Sequence, residues 1–504
     1  MIHRRDVLRA SAAAVLAAFA TPAAADEDAA ADLRRLVDRL SDRSRVTRPF
    51  LLRRFNAERL SARERVLYET LLPGAEADAA LARRSWGRSG APYPVTHRNG
   101  NWRRAAELRG EDRIRNSVRA VNQDTNAIEV SARRGVIAPD FVIDATVPEL
   151  RNAAQRVADA NVPDGETLVA ALTRQAEALE AQRATAGREP GMWRLPDGDE
   201  FYAQTLQFQL GAPVDAREAH DRALARCREL QNEAGRLLRG LGYTQGSVAQ
   251  RLKAFAAEDR YRIGDRDAAV AAMNAQLEKV RGLLPPVLDA TATGGIRALD
   301  EASSNNGARG QRVGANYMVD LQARRPTWSL ASVVHHEHTP GHILQNRFNR
   351  GVPELQVRYA NGYNEGWATY AEMLADEIGA FEGDVAGRIG YLQWMMFRIG
   401  RIVGDTGMHA MRWSRERTIE QMYDLQGESI SFVTIEDDVT RFAAQPGAYA
   451  AQGLAAMQIM ELRERTRRAA SASFTLTAFH DAALRAGPLS PPGLEQAMKA
   501  AFEL

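Results

Sequence analysis

The sequence predicts a mainly α fold: one large helical domain, with two lobes around a cleft and a small β edge beside it. Three observations carry that expectation. Apolar residues recur at spacings of three and four over 29–41, 60–72, 166–186, 215–240, 267–283, 366–379, 385–403 and 450–470, the period of an amphipathic helix. One stretch reads most clearly as extended, Val313-Gly-Ala-Asn-Tyr-Met-Val-Asp-Leu321, and it is bounded by Gly-rich sequence. With 45% of its 504 residues hydrophobic and 26% charged, the chain has the composition of a soluble globular protein with a sizeable core.

From the N-terminus, residues 1–25 read as an export signal. Arg4-Arg5 precedes a short alanine-rich apolar run, and Ala23-Ala24-Ala25 precedes Asp26. The paired arginines point to the twin-arginine route, with cleavage after Ala25 and a periplasmic or secreted mature chain. Removing three arginines and one aspartate turns 66 basic and 64 acidic residues into 63 and 63. A chain without net charge has no electrostatic footprint for nucleic acid or anionic lipid. No run reaches the roughly 18 unbroken apolar residues needed to insert into a bilayer.

Residues 26–504 then form the single helical domain. Turn-rich breaks at 88–101, 187–199 and 302–314 are too short to be linkers, and no repeat of fixed period suggests a solenoid. Cys227 is the sole cysteine, so no internal disulfide forms; its helical surroundings predict a buried, inert thiol. The extended stretch at 313–321 lies just upstream of a histidine cluster, where a strand can bed a peptide substrate.

That cluster is Val333-Val-His-His-Glu-His-Thr-Pro-Gly-His342, which holds four of the nine histidines. Zinc peptidases commonly place HExxH on a helix, since residues four apart share a face and the adjacent glutamate serves as general base. Here the second histidine follows His336 at six, about 120° away on a regular helix. Pro340 and Gly341 resolve the misfit. Pro340 has no N–H for the carbonyl of His336 and its ring clashes with that carbonyl, while Gly341 tolerates the backbone angles of a kink. The kink re-aims His342, making His336 and His342 ligands and Glu337 the base. The rival pair His338 and His342 has no glutamate after its first member. A catalytic zinc site needs a third protein ligand, and Glu365, at the start of the helical pattern 362–379, is the candidate. Glu372 is the alternative, or a carboxylate that holds a ligand histidine; Asp376 reads as solvated.

Taken together, HEHTPGHILQ, NEGWATYAEMLADEIG and RIGRIVGDTGMHAMRWSRE resemble the domain of unknown function 885 family of bacterial proteins, distantly similar to the gluzincin zinc peptidases. The resemblance runs from about residue 190 to the C-terminal FTLTAFHDAALRAGPLS, and more loosely before it, with the motif core at 313–453. It implies a helical zinc-peptidase-like domain with a deep cleft and one Zn²⁺ held by His336, His342 and Glu365, with Glu337 as base. Arg398, Arg401, Asp405 and His409 match a family run; His409 would donate to the oxyanion, and Asp405 with the arginines would form an ion-pair network. His97 and His480 are left as structural. The chain departs from the family at Ile343, Ala448, Gln452 and Gly453, where relatives carry histidine, glutamine, tyrosine and lysine. Tyr449, about one helical turn before the lost tyrosine, would take over its role. The expectation is an exported zinc-dependent metallopeptidase acting on small peptides. The alternatives are a zinc hydrolase of another amide and a non-catalytic zinc-containing periplasmic binding protein.

Overall fold

Helix forms where the apolar period of three and four is clear, and it takes 68% of the chain against 3% for strand. The computed structural model describes residues 27–87, 90–105, 111–284, 294–300, 310–321, 326–431 and 433–504. The expected signal at 1–25 lies outside them. Eight helices build and buttress the site: α1 (Gly198–Leu210), α2 (Ala216–Gly240), α3 (Leu330–Glu337), α4 (His342–Gln345), α5 (Tyr363–Glu377), α6 (Val385–His409), α7 (Ile435–Ala444) and α8 (Ala448–Ala470).

The centre of the molecule is α6. Leu392, Met395, Met396, Ile399, Ile402 and Val403 are all at most 1% exposed, so the helix is buried on most of its circumference and is stable only inside a core. Along it lies α2, which buries Ala219, Ala223, Cys227, Leu230, Ala234 and Leu238, a stripe at spacings of three and four. Asp215 starts α2 by accepting from the N–H groups of Arg217 and Glu218 at 2.8 and 3.0 Å. Cys227 is fully buried and burial pushes its thiol up to about 12, which leaves it unreactive.

A second close pairing joins α5 to α8. A Cβ on Gly366 would lie 2.5 Å from the Ala455 Cβ, so only glycine allows this approach. The small residue next to Glu365 therefore draws the start of α5 against the N-terminal half of α8.

The sheet has three strands, β1 (Ile296–Ala298), β2 (Gly310–Val313) and β3 (Asn316–Val319), in the order β1-β3-β2. β1 runs parallel to β3, with Ile296 opposite Tyr317, and β2 runs antiparallel to it, with Val313 opposite Asn316. The expected single strand over 313–321 is thus two strands joined by a tight turn. Gly314, at φ +59°, adopts the left-handed backbone that reverses the chain there. No helix among the described residues is long and apolar enough to cross a membrane.

Candidate metal centre

The site begins with a broken backbone. α3 stops at Glu337 and α4 starts at His342, with Pro340, cis to Thr339, and Gly341 between them. Pro340 has no N–H to continue the ladder to the His336 carbonyl. A Cβ on Gly341 would come within 1.9 Å of the His336 O and 2.5 Å of the His335 O, so the chain crosses the end of α3 where no side chain fits. The Trp367 indole N–H donates to Pro340 O at 3.0 Å and fastens the break to α5. What was expected as a kink is a complete break between two helices.

Across this break the three expected ligands converge. His336, His342 and Glu365 offer donor atoms that all lie within 4.8 Å of one another. His336 Nε2 is 3.4 Å from Glu365 Oε2 and His342 Nε2 is 3.3 Å from Glu365 Oε1. The two imidazole rings stand nearly perpendicular, at 87°, with centroids 4.8 Å apart. His342 Nε2 is buried and makes no well-aligned hydrogen bond, although Glu365 Oε1 lies 3.3 Å away. A buried nitrogen left in this way costs about 1–3 kcal/mol unless something fills the space before it. Four tetrahedral ligands about 2.1 Å from a zinc ion lie about 3.4 Å from one another; each histidine is near that distance from one of the two Glu365 oxygens, and the three donors together lie within 4.8 Å. Two imidazoles and a carboxylate are donors of the kind that zinc takes.

A further layer of contacts sets the orientation of His336. Its Nδ1 lies 2.9 Å from Glu372 Oε1, which also accepts from Arg398 Nε at 2.6 Å, while Ser332 Oγ donates to Glu372 Oε2. Nδ1 is thereby occupied and Nε2 faces the cluster. The electrostatics act on the three donors in different directions. Burial and Arg398 lower the His336 imidazole, but its hydrogen bonds to Glu365 and Glu372 and the Glu372 charge outweigh them and raise it, so a cation would have to displace its proton. Burial raises the Glu365 carboxyl, but the two imidazoles outweigh it and hold it well below the usual carboxylate range. Burial lowers His342 by more than Glu365 raises it, which keeps the ring neutral with a lone pair to offer. Glu372 is likewise raised by burial and held below the ordinary value by Arg398 and His336.

The other histidines of the motif face elsewhere. His335 Nε2 meets Gln276 Nε2 at 3.0 Å, and its ring packs edge-on against Phe381. His338 Nδ1 meets Thr339 Oγ1 at 3.0 Å, and the ring stands outside the cluster.

His336 and Glu365 line a cavity of about 210 Å³ together with Glu337, Tyr449, Gln452, Arg98, Arg398, Arg401 and Arg441. Glu337 Oε2 accepts from Arg312 Nη1 of β2 at 2.5 Å. Tyr449 holds Gln445 Oε1 at 3.3 Å, a long hydrogen bond.

His409 is not brought to this cavity. Its Nδ1 accepts from the Met192 N–H at 3.2 Å and its Nε2 donates to Phe442 O at 3.1 Å. Both nitrogens are spent on backbone, burial pushes the ring down to about 3, and Tyr202 packs on it with centroids 4.9 Å apart. It is a packing histidine, and the expected oxyanion role is withdrawn. The expected pairing of Asp405 with two arginines is also corrected. Arg398 binds Glu372, Arg401 binds Asp438 through two hydrogen bonds of 2.7 and 2.9 Å, and Asp405 accepts from the Tyr202 hydroxyl at 2.7 Å and the Gly447 N–H. Asp376 pairs with Arg388 at 2.8 Å rather than standing in solvent. His480, bonded to the Tyr370 hydroxyl at 2.7 Å, is buried and His97 is half-buried, and neither is among the clustered donors. Sequence reasoning missed Arg98, Arg312 and Arg441. None lies in a spaced motif, and no local signal in the sequence singles them out.

Fold and site together define a mainly helical protein with a His-His-Glu cluster on the wall of a small cavity. The chain belongs to the bacterial protein of unknown function family DUF885, whose model matches residues 10–498. Among solved structures, a Colwellia psychrerythraea protein described as a candidate lipoprotein is similar at a TM-score of 0.77 and 20% identity, over 93% of this chain and 91% of that one. A Shewanella oneidensis protein, described as a candidate lipoprotein of unknown function, is similar at 0.67 and 18%, over 94% and 93%. Both share the fold. Among curated proteins, none matches the sequence.

Proposed function

We propose that the protein is an exported zinc-dependent metallopeptidase that hydrolyses peptide bonds in small peptides. One observation carries the reading: donor atoms of His336, His342 and Glu365 lie within 4.8 Å of one another, the two histidines 3.4 and 3.3 Å from Glu365, and Glu337 lines the same cavity as His336 and Glu365. Export is supported by the signal pattern of residues 1–25 and by the description of the two similar structures as candidate lipoproteins.

His336, His342 and Glu365 would hold the ion. When bound, Zn²⁺ supplies Lewis acidity toward water and the scissile carbonyl. Glu337 follows His336 in the chain, so the ligand and the base share one helix end. Arg312 occupies Glu337 Oε2, which leaves Oε1 to take a proton from the attacking water and return it to the leaving amine. Tyr449 lines the same cavity with its hydroxyl only loosely held by Gln445, and is the O–H donor for the developing oxyanion. Glu372, Ser332 and Arg398 keep Nε2 of His336 directed at the cluster.

The test is Glu337→Gln. Hydrolysis of a mixed peptide library, read by mass, should fall about 10²–10⁴-fold, while elemental analysis finds the metal content unchanged. Undiminished turnover by that variant, or purified protein without a bound transition metal, overturns the reading.

A further inference from the structure

The cavity beside the cluster carries more positive charge than its own acids neutralise. Arg398 is spent on Glu372, and Arg401 is held by both oxygens of Asp438 and clasped between the rings of Phe397 and Tyr449, 4.1 and 5.0 Å away. Arg98 and Arg441 line the same cavity, and neither has a carboxylate partner among the described residues. The Arg98 Nε makes a 3.3 Å hydrogen bond to the neutral Gln445 amide oxygen. Burial lowers the Arg441 guanidinium from its usual range, and the charges of Arg98 and Arg401 add to that while Tyr449 and Asp438 oppose it. Arg98 and Arg441 repel one another across the cavity, and Asp438, the carboxylate nearest in effect, is already held by both hydrogen bonds of Arg401. An anion that accepts from Arg98 and Arg441 offsets that repulsion and gains charge-assisted hydrogen bonds.

The anion's size and chemistry follow from the cavity. A cavity of about 210 Å³ is on the scale of a small molecule or the end of a short peptide and far below that of a folded chain. The planar fork of arginine matches the two oxygens of a carboxylate. Tyr449 and Gln452, about one turn apart on α8, line the cavity with these arginines and with the Glu337 wall.

We infer that Arg98 and Arg441 bind the free C-terminal carboxylate of the substrate, so that the enzyme acts at the C-terminal end of short peptides. This inference rests on the hydrolytic reading of the site, and the test separates the two.

Metal-loaded protein is assayed with short peptides ending in a free carboxylate, with their C-terminal amides, and with amides that carry an acidic side chain. Free-acid peptides are expected to be cleaved with a kcat/KM roughly 10- to 100-fold above their amides. Arg441→Gln and Arg98→Gln should each remove most of that advantage, so that the ratio of free-acid to amide kcat/KM falls toward one. Thermal midpoints close to that of the parent show that the variants are folded. Binding is measured separately by calorimetry in the Glu337→Gln background, with a dipeptide and its amide. Tight dipeptide binding that Arg441→Gln weakens, without hydrolysis by the parent enzyme, keeps the anion site and rejects the peptidase. Hydrolysis with equal rates on acids and amides rejects the anion site and keeps the peptidase. Equal cleavage of amides bearing acidic side chains reassigns the arginines to a side-chain carboxylate and overturns the C-terminal assignment.

Discussion

Gly341 shows how one residue can decide whether a site exists. Any Cβ there meets two carbonyl oxygens of α3 at 1.9 and 2.5 Å, so Gly341→Ala must push α4 away from α3. The displaced element carries His342. The expected outcome is loss of at least about tenfold in metal affinity by competition with a chromophoric chelator, with the helical signal in far-UV circular dichroism retained. Unchanged affinity would show that the tight crossing does not set the ligand. This part of the site was legible in the sequence, because a Pro-Gly pair inside a histidine cluster has a specific steric meaning. The fate of His409 was not. Nothing in its local spacing reveals that backbone groups of Met192 and Phe442, distant in the chain, occupy both ring nitrogens. Arg98 and Arg441 were equally invisible, since the fold alone makes them neighbours.

At the scale of elements, the joint between α1, α6 and the start of α8 is made by a single carboxyl. Asp405 on α6 accepts from Tyr202 of α1 at 2.7 Å and from the Gly447 N–H at 3.0 Å, just ahead of α8. Burial, with a contribution from Asp438, raises it to about 7 against the opposing pull of these donors. The folded state therefore holds this proton more tightly than the unfolded chain does. Its contribution to stability is full below about pH 4 and is lost as pH rises toward 7, about 4 kcal/mol in all. An asparagine side chain in its place cannot ionise and offers an oxygen to the same donors. The stability of Asp405→Asn relative to the parent should thus increase between pH 4.5 and 7.5, as read from urea midpoints; a difference independent of pH would refute the raised carboxyl. Element boundaries were legible where periodicity was strong and misleading at single residues. The pattern over 60–72 stops before Pro73, yet the observed helix, Arg65–Ala82, runs through it. The Glu69 carbonyl, which the proline cannot serve, accepts from Ser490 Oγ at 3.3 Å instead, a compensation that comes from the far end of the chain.

Across the whole molecule, the apolar packing between helices does not pass through the donor atoms of the cluster. The buried faces of α2 and α6 and the α5–α8 contact do not involve the donor atoms, and the His336 ring is already fixed by Glu372. Chelation should accordingly abolish hydrolysis and leave far-UV ellipticity intact. The thermal midpoint should fall only by the modest amount that ligand linkage provides, and added zinc should restore activity. Collapse of the helical signal on chelation would mean that the ion holds the fold, as it does in small zinc domains.

The indole that fastens the Pro-Gly break and the carboxylate that closes the trio both ride on α5, downstream of the histidines. A nascent segment ending before residue 363 would hold only two of the three donors, on a backbone that nothing yet restrains. On the proposed zinc reading, capture of the cation must then wait until α5 has been made. The compartment in which the chain folds, rather than the one in which it is translated, then determines which cation it meets.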